Sequence, residues 1–232
     1  MTTIDSSDAR AEILARIRRA LADVPPNEPE TEAVPRDYLL EHGTHTEAEV
    51  IELLAENLAD YRAHVHRSTV GELPATIAGL VADRGSTSVV IPAELPITWL
   101  TALEPSAVTL VPDAPDLTAS RLDEVSSVIS ACAIAIAETG TIVLDGGPGQ
   151  GRRMVTLVPD HHICVIRIPD QVVASVPQAL PRLDPTRPQT WISGPSATSD
   201  IELDRVEGVH GPRTLDVILV TTDNAADTDT DN

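Results

Sequence analysis

The sequence predicts an α/β fold in which a parallel or mixed β-sheet is covered on both faces. Short segments rich in Val and Ile, such as 88–91 and 163–166, have the length and composition of buried strands. Between them lie segments with the 3.6-residue apolar period of helices. In such sheets the functional crevice lies beyond the carboxyl ends of the strands, so we expect the site there.

Composition narrows the class of protein. The chain has 232 residues, a formal net charge of −20, and arginine as its only basic residue besides histidine. So acidic a chain is not expected to bind nucleic acid or an anionic membrane, since both require clustered positive charge. It contains no apolar run of membrane-spanning length and no apolar signal segment near Met1, so we expect a cytoplasmic protein without membrane insertion.

The two cysteines, Cys132 and Cys164, lie within apolar runs, which predicts buried, unreactive thiols. Two thiols cannot hold a four-cysteine iron–sulfur cluster within one chain. We therefore expect no cofactor in this chain.

The pattern predicts three regions, which are an N-terminal helix and linker (1–35), a main domain (36–221) and a disordered acidic tail (222–232). The N-terminal helix, predicted from Ser6 to Leu21, forms an arm that packs on the body, packs on a partner or lies at the surface.

In the main domain, Thr46 with Glu49 predicts the start of a helix whose buried face includes Tyr61. Further elements follow in alternation. Strands are predicted near 65–69 and at 88–91, 108–111, 127–130, 141–144, 163–166, 191–193 and 216–221, and helices at 73–81 and near 171–180.

One candidate motif places Glu138, Thr139, Gly140 and Thr141 between an apolar run and a strand. Gly140 suits a backbone conformation that other residues resist, and Glu138 at a sheet edge suits a base or a ligand. The alternative is a surface loop with an acid beside two turn threonines.

A second motif, at 146–153, is rich in glycine and ends in Arg152 and Arg153. Glycine-rich loops can bind phosphate, but arginines replace the Lys and Ser/Thr of a nucleotide-binding loop. The sequence favours a flexible hairpin or lid, although paired arginines can also bind a carboxylate or phosphate in bidentate fashion.

Histidines form two further candidates. His161 and His162 precede a strand and suit proton transfer, with hydrogen-bonded loop histidines as the alternative. His64 and His66 alternate along a strand and are predicted to share a face, which alone is a weak indication of a metal site.

The fourth motif runs from Ile192 to Glu202 and continues from 208 to 213. Ser199 and Glu202 have the spacing of a capping box, so the polar residues start a short helix, and a free helix N-terminus also binds anions. Serine, histidine and acid all occur here, but their order does not establish a nucleophilic triad.

Four blocks together resemble the LUD domain of the lactate utilization protein C (LutC) family. They are Ala-Glu-Thr-Gly-Thr at 137–141, Pro-Asp-His-His at 159–162, Gly-Pro-Ser-Ala-Thr-Ser-Asp-Ile-Glu at 194–202 and Gly-Val-His-Gly-Pro-Arg at 208–213.

This resemblance implies a Rossmann-like three-layer sandwich similar to the NagB/RpiA/CoA-transferase group, with an N-terminal helical arm. It also implies a role in oxidation of L-lactate to pyruvate, with two partner proteins, A and B, that carry the iron–sulfur clusters. From these motifs we expect Glu138 as a base and His210 as its proton partner. The residues expected to bind a small carboxylate substrate are Thr139, Gly140, Thr141, Gly194, Ser196, Thr198, Asp200 and Arg213.

Two other functions remain open at this stage. The fold group includes sugar-phosphate isomerases and CoA transferases, so Glu138 of an independent enzyme would serve as acid–base residue or nucleophile. The third alternative is a non-catalytic scaffold or assembly factor.

Overall fold

A computed structural model of the protein describes residues 6–23, 37–198, 206–207 and 211–221. The chain divides into two compact units, Met1–Tyr38 and Leu39–Asn232. In the first unit, helix α1 (Ser6–Ala20) confirms the predicted N-terminal helix. Its apolar stripe of Ile13, Ile17 and Leu21 is exposed.

The second unit alternates strands and helices, as predicted. Its helices are α2 (Glu47–Asp60), α3 (Leu73–Asp83), α4 (Ala119–Asp123), α5 (Arg153–Leu157) and α6 (Val176–Ala179), with 3-10 turns at Ile97–Leu100 and Leu180–Arg182. Its strands are β1 (His64–Thr69), β2 (Ser88–Ile91), β3 (Thr109–Pro112), β4 (Ser127–Ala131), β5 (Ile134–Ile136), β6 (Thr141–Leu144), β7 (His161–Ile168), β8 (Val172–Val173), β9 (Thr190–Ile192), β10 (Ala197–Thr198), β11 (Val206–Glu207) and β12 (Thr214–Thr221).

A six-stranded sheet in the order β1-β12-β7-β4-β2-β3 forms the centre of this unit. Every neighbouring pair is parallel. The two longest strands, β7 and β12, lie beside each other and are buried along most of their length. Val, Ile and Leu dominate both strands, because a parallel sheet covered on both faces offers its side chains no contact with water.

A second layer covers one face of this sheet. It contains α2 and a four-stranded sheet in the order β8-β5-β6-β9. Leu54 and Leu58 of α2 pack with Ile142 of β6 against Cys164 and Val217 of the large sheet. Both cysteines are buried, as predicted.

A third layer covers the opposite face. Leu73, Ile77 and Val81 of α3 pack against Ile163 of β7 and Ile218 of β12. The chain therefore has a three-layer α/β architecture around a parallel sheet, and successive residues of β7 point alternately into the two apolar layers.

Two predictions of local structure were wrong. Residues near 171–180 were predicted as one helix, but β8 pairs with β5 and only the short α6 follows, because Val172 and Val173 extend the small sheet. Tyr61 was predicted in the buried face of α2, yet it caps that helix and is 47% exposed. The predicted capping box of Ser199 and Glu202 lies outside the described residues.

Across the described parts of the chain, no helix has the length and apolar character needed to cross a membrane.

Candidate functional site

A cavity of about 680 Å³, which we term the glycine-loop crevice, lies at the carboxyl ends of β2 and β3. The 145–151 loop, which follows β6, forms one of its walls. Gly149 donates its N–H to Ala93 O at 3.0 Å and accepts from Ala131 N at 2.9 Å, which attaches the loop to the ends of β2 and β4. The crevice therefore lies where an open parallel sheet is expected to hold its ligand.

The two arginines after this loop have different surroundings. Arg152 is fixed by Asp113, whose Oδ1 lies 2.6 Å from Nε, and by the carbonyls of Ala114 and Leu117. Arg153 begins α5 and is exposed, and its guanidinium has no acidic partner among the described residues. Arg153 is thus available to bind an anion.

Arg153 also lines a second cavity of about 330 Å³, which we term the serine cavity. The turn after β9 forms one wall and contributes Ser193, Gly194 and Ser196. The opposite wall includes His162 at the start of β7. Gly194 and Ser196 were predicted as substrate-binding residues, and both lie on this cavity. Arg153 therefore stands on a wall common to both cavities.

The imidazole of His162 is buried and neutral. Its Nε2 lies 2.7 Å from the hydroxyl of Ser130, which is also buried. Burial, with a smaller contribution from neighbouring His161, lowers the pKa of His162 from 6.5 to about 3. Nδ1 has no hydrogen-bond partner within the part of the chain that the structure describes. His162 therefore gives one wall of the serine cavity an uncharged side chain whose Nδ1 can still form a hydrogen bond.

Hydroxyl groups connect the first and fourth sequence motifs. Thr141 Oγ1 lies 2.7 Å from Thr139 Oγ1 and 2.8 Å from Ser193 Oγ. Thr141 is buried, whereas Ser193 reaches the serine cavity. Thr139 and Thr141 thus help to position Ser193 in the cavity. Ser193 was not among the site residues predicted from the sequence.

The two motif glycines have a packing role against the end of α2. Gly140 has φ +53°, and a Cβ there would lie 2.8 Å from the carbonyl carbon of Asn57. Gly194 has φ +81°, and a Cβ there would lie 2.2 Å from Tyr61 O. Only glycine permits these approaches and these dihedral angles. The same end of α2 thereby positions both motifs.

Glu138 lies at the turn between β5 and β6, away from both cavities. Its two carboxylate oxygens each lie 2.9 Å from His42 Nδ1, and its side chain is 26% exposed. Glu138 lines neither the glycine-loop crevice nor the serine cavity. An exposed carboxylate–histidine pair can exchange protons, so its predicted role as a base stays a prediction.

The remaining predicted residues are not gathered at one point. Arg213 lies just before β12 and donates to Asp160 Oδ2 at 3.0 Å, at the amino end of the sheet. Thr198 is in the short strand β10, and its side chain is not described. Asp200 and His210 lie outside the described residues.

A buried polar network crosses the amino ends of four strands. It was not predicted from the sequence. His161 donates from Nε2 to Asp216 Oδ2 at 2.8 Å, and its Nδ1 lies 2.8 Å from Ser127 Oγ. His66 lies 2.6 Å from Asp216 Oδ1, and His64 lies on the same side at 3.5 Å, which confirms that these histidines share a face.

This arrangement has the order of a nucleophilic triad, but Ser127 is fully buried and contacts Ser86 Oγ at 2.5 Å. A substrate cannot reach Ser127, so the network is structural. Burial acts to raise the pKa of Asp216, but hydrogen bonds from His161 and His66 outweigh it and leave that pKa below its usual value. The sequence feature that could have indicated this network is Asp216, an aspartate inside the largely apolar strand β12.

Within the residues that the structure covers, no group of three or more His, Cys, Asp or Glu side chains has an arrangement that could hold a metal ion.

Comparison with known proteins gives matches along most of the chain. Residues 51–220 match the model of the family described as the LUD domain. A protein of Deinococcus radiodurans named "Lactate utilization protein C" is 41% identical over 225 residues, which cover 95% of this chain and 100% of that protein. The Bacillus subtilis protein of the same name is 37% identical over 95 residues, or 38% of this chain and 39% of that one.

A solved structure is also similar. The crystal structure of a DUF162 family protein from Deinococcus radiodurans is 36% identical and gives a TM-score of 0.64. The similarity covers 76% of this chain and 99% of that one.

Proposed function

Because the chain belongs to the LUD-domain family, and a relative that is 41% identical over 95% of this chain carries the name lactate utilization protein C, we propose a role in lactate utilization. In this proposal the protein is an accessory subunit of L-lactate oxidation to pyruvate. It binds the substrate carboxylate in the serine cavity, within a complex whose iron–sulfur clusters belong to the partner proteins A and B. The corresponding fold assignment, to the NagB/RpiA/CoA-transferase-like group, is part of the same proposal.

The observation that carries the proposal is the position of Arg153. Arg153 lines a cavity of about 330 Å³, a size suited to a small ligand, and it forms no ion pair with a described acid. A planar guanidinium binds a carboxylate through two parallel hydrogen bonds. In a chain of net charge −20, an unpaired arginine on a cavity wall is a specific feature, since carboxylates are abundant around it.

The other walls suit the rest of a 2-hydroxy acid. Ser193 and Ser196 offer hydroxyl groups, and the neutral His162 offers a hydrogen-bonding nitrogen without a competing positive charge. Leu157 and Leu215 provide an apolar surface for a methyl group. The carboxylate is thus directed to Arg153 and the hydroxyl to the serine and histidine side.

Removal of two electrons from lactate requires a cofactor, and the role of this chain is to hold and orient the substrate for it. The proposal retains Glu138 as a base and His210 as its proton partner, and both roles await a test. Since Glu138 lies outside the serine cavity, it would act on a proton at the surface of the complex and not on the bound carboxylate.

The test is lactate:acceptor activity of the purified A and B partners with this chain present, absent or replaced by Arg153→Gln. We expect activity to require the chain. Arg153→Gln should raise the KM for L-lactate at least tenfold, because it removes one or more charged hydrogen bonds to the carboxylate. The matched control is Arg67→Gln, which removes another exposed arginine, one paired with Glu52 far from both cavities.

If A and B oxidise lactate fully without this chain, the accessory role is wrong. If the chain is required but Arg153→Gln behaves like Arg67→Gln, the chain is a scaffold and its cavity does not bind the substrate. A Glu138→Gln variant in the same assay tests the predicted base, because loss of kcat with unchanged assembly is the expected result.

A further inference from the structure

A third cavity, of about 380 Å³, lies on the other side of the glycine loop, at the carboxyl ends of β4 and β7. We term it the arginine cavity, because Arg167, Arg182 and Arg187 line it. It meets the glycine-loop crevice at the 147–148 segment and at Gln150. Arg153 does not line it, so it is separate from the proposed lactate site.

Positive charge is concentrated here. Arg187 is paired with Asp145 at 3.1 Å, whereas the one hydrogen bond of Arg182 to the described residues goes to a main-chain carbonyl, that of Asp170. Arg167 is exposed and has no carboxylate partner in the described ranges. Three of the chain's arginines line this cavity, against two acids, Glu94 and Asp145, although acids outnumber basic residues 36 to 16 in the whole chain. This local reversal of sign favours an anionic ligand.

A buried amide donor faces the same space. Gln150 is 4% exposed, and its Oε1 accepts from Asp145 N at 2.7 Å, which fixes the orientation of the amide. Nε2 is therefore directed to the cavity walls, where no described group accepts from it. A buried donor without an acceptor is destabilising unless water or a ligand supplies one. Gln150 thus indicates an oxygen-rich ligand, independently of the arginines.

Trp99 also lines the cavity and is a half-buried indole in a chain with only two tryptophans. An indole face binds planar rings by stacking. The Cys132 thiol also lines the cavity and carries no charge, because a hydrogen bond with Cys164 and burial raise its pKa well above the ordinary value. The cavity therefore combines cationic groups, an amide donor and an aromatic surface without a thiolate that would repel anions.

We propose that the arginine cavity binds a phosphorylated ligand with a planar ring, the chemistry of a nucleotide, with the phosphates on Arg167, Arg182 and Gln150 Nε2 and the ring on Trp99. This site is additional to the lactate site and does not depend on it. Guanidinium groups suit phosphate as well as carboxylate, and loop glycines let the backbone approach a ligand closely.

The test uses the full chain carrying Trp191→Phe, so that Trp99 is the sole source of indole fluorescence. The probes are ATP, inorganic triphosphate and adenosine. We expect ATP to quench the emission of Trp99 and to bind about tenfold or more tightly than triphosphate or adenosine alone. Arg167→Gln with Arg182→Gln, and separately Gln150→Leu, should each weaken ATP binding about tenfold. Melting temperatures establish that the variants fold.

Two controls keep the outcomes distinct. Arg67→Gln and Arg153→Gln should leave ATP binding unchanged, and Arg153→Gln should affect only lactate, so this proposal and the proposed function fail separately. Absence of both quenching and calorimetric heat at millimolar ATP would overturn the site. Triphosphate binding as tight as that of ATP, without quenching, would overturn the assignment to nucleotides, as would binding that Gln150→Leu and the double variant do not alter.

Discussion

Gly194 lies so close to the end of α2 that a Cβ at this position would stand 2.2 Å from the carbonyl oxygen of Tyr61. Its φ of +81° adds a second restriction. We expect Gly194→Ala to lower the free energy of unfolding by about 2–4 kcal/mol, because both the clash and the dihedral must be relieved. Urea denaturation of the two proteins measures the difference.

Gly79 provides the matched control for this substitution. It lies on the exposed side of α3, and a Cβ there would meet nothing within 4 Å. Gly79→Ala should therefore raise stability by up to about 1 kcal/mol. Equal effects of the two substitutions would show that the approach of α2 to the turn after β9 is not a constraint.

The Asp216–His161 hydrogen bond predicts a second large effect. Asp216→Asn removes the carboxylate that accepts from His161 and His66 in a buried setting. We expect a loss of about 2–4 kcal/mol in the free energy of unfolding, because the buried donors lose a charged acceptor. Chemical denaturation near neutral pH is the measurement.

Asp160→Asn is the control, because Asp160 is about half exposed and, among the described residues, forms ion pairs with Arg213 and, at 4.0 Å, Arg84. Its loss should change stability by less than about 0.5 kcal/mol. If Asp216→Asn proved as mild as this control, the network would contribute little to the fold.

The strands could be predicted from the sequence because their signal is local. Segments 88–91 and 141–144 are strands with the predicted bounds, since short runs rich in β-branched residues suffice to mark them. The 171–180 segment was misassigned because β8 is only two residues long and depends on a partner, β5, that is 37 residues away. Pairing at a distance leaves no periodic trace in the sequence.

The candidate site was predicted only in part, for a similar reason. Gly194 and Ser196, which were predicted to bind substrate, lie on the serine cavity, and Arg153 and His162 join them from α5 and β7. The alternation of β7 sends His161 and His162 into opposite layers, so two adjacent histidines have unrelated surroundings. The sequence shows that they are neighbours and cannot show which face each occupies before the sheet order is known.

Arg153→Lys tests whether geometry or charge binds the substrate. Lysine keeps the positive charge and loses the planar pair of donors that matches a carboxylate. We expect L-lactate binding to the complex with A and B to weaken about tenfold, with little change in melting temperature since Arg153 is exposed. Isothermal titration calorimetry measures the affinity, and full retention of affinity in Arg153→Lys would show that the arginine acts as a point charge.

Acid stability reports the state of His162. Its pKa is lowered from 6.5 to about 3 by burial, so the unfolded chain binds the proton more readily than the folded chain. Stability should therefore fall as pH decreases from about 6.5 towards 3, by up to about 1.4 kcal/mol per pH unit from this residue. Asp216 acts at lower pH. Because its pKa is lowered in the folded protein, its carboxylate stabilises the fold above the ordinary carboxyl pKa, and this stabilisation is lost as the pH falls below that value.

The measurement is the free energy of unfolding between pH 6.5 and pH 4.5 for the protein and for His162→Gln, which keeps a hydrogen-bonding group near Ser130 and does not titrate. We expect His162→Gln to flatten the dependence by about 1.4 kcal/mol per pH unit, since one proton taken up on unfolding is removed. A slope that persists unchanged in His162→Gln would mean that His162 takes up its proton as readily in the folded chain as in the unfolded chain, and that burial does not lower its pKa.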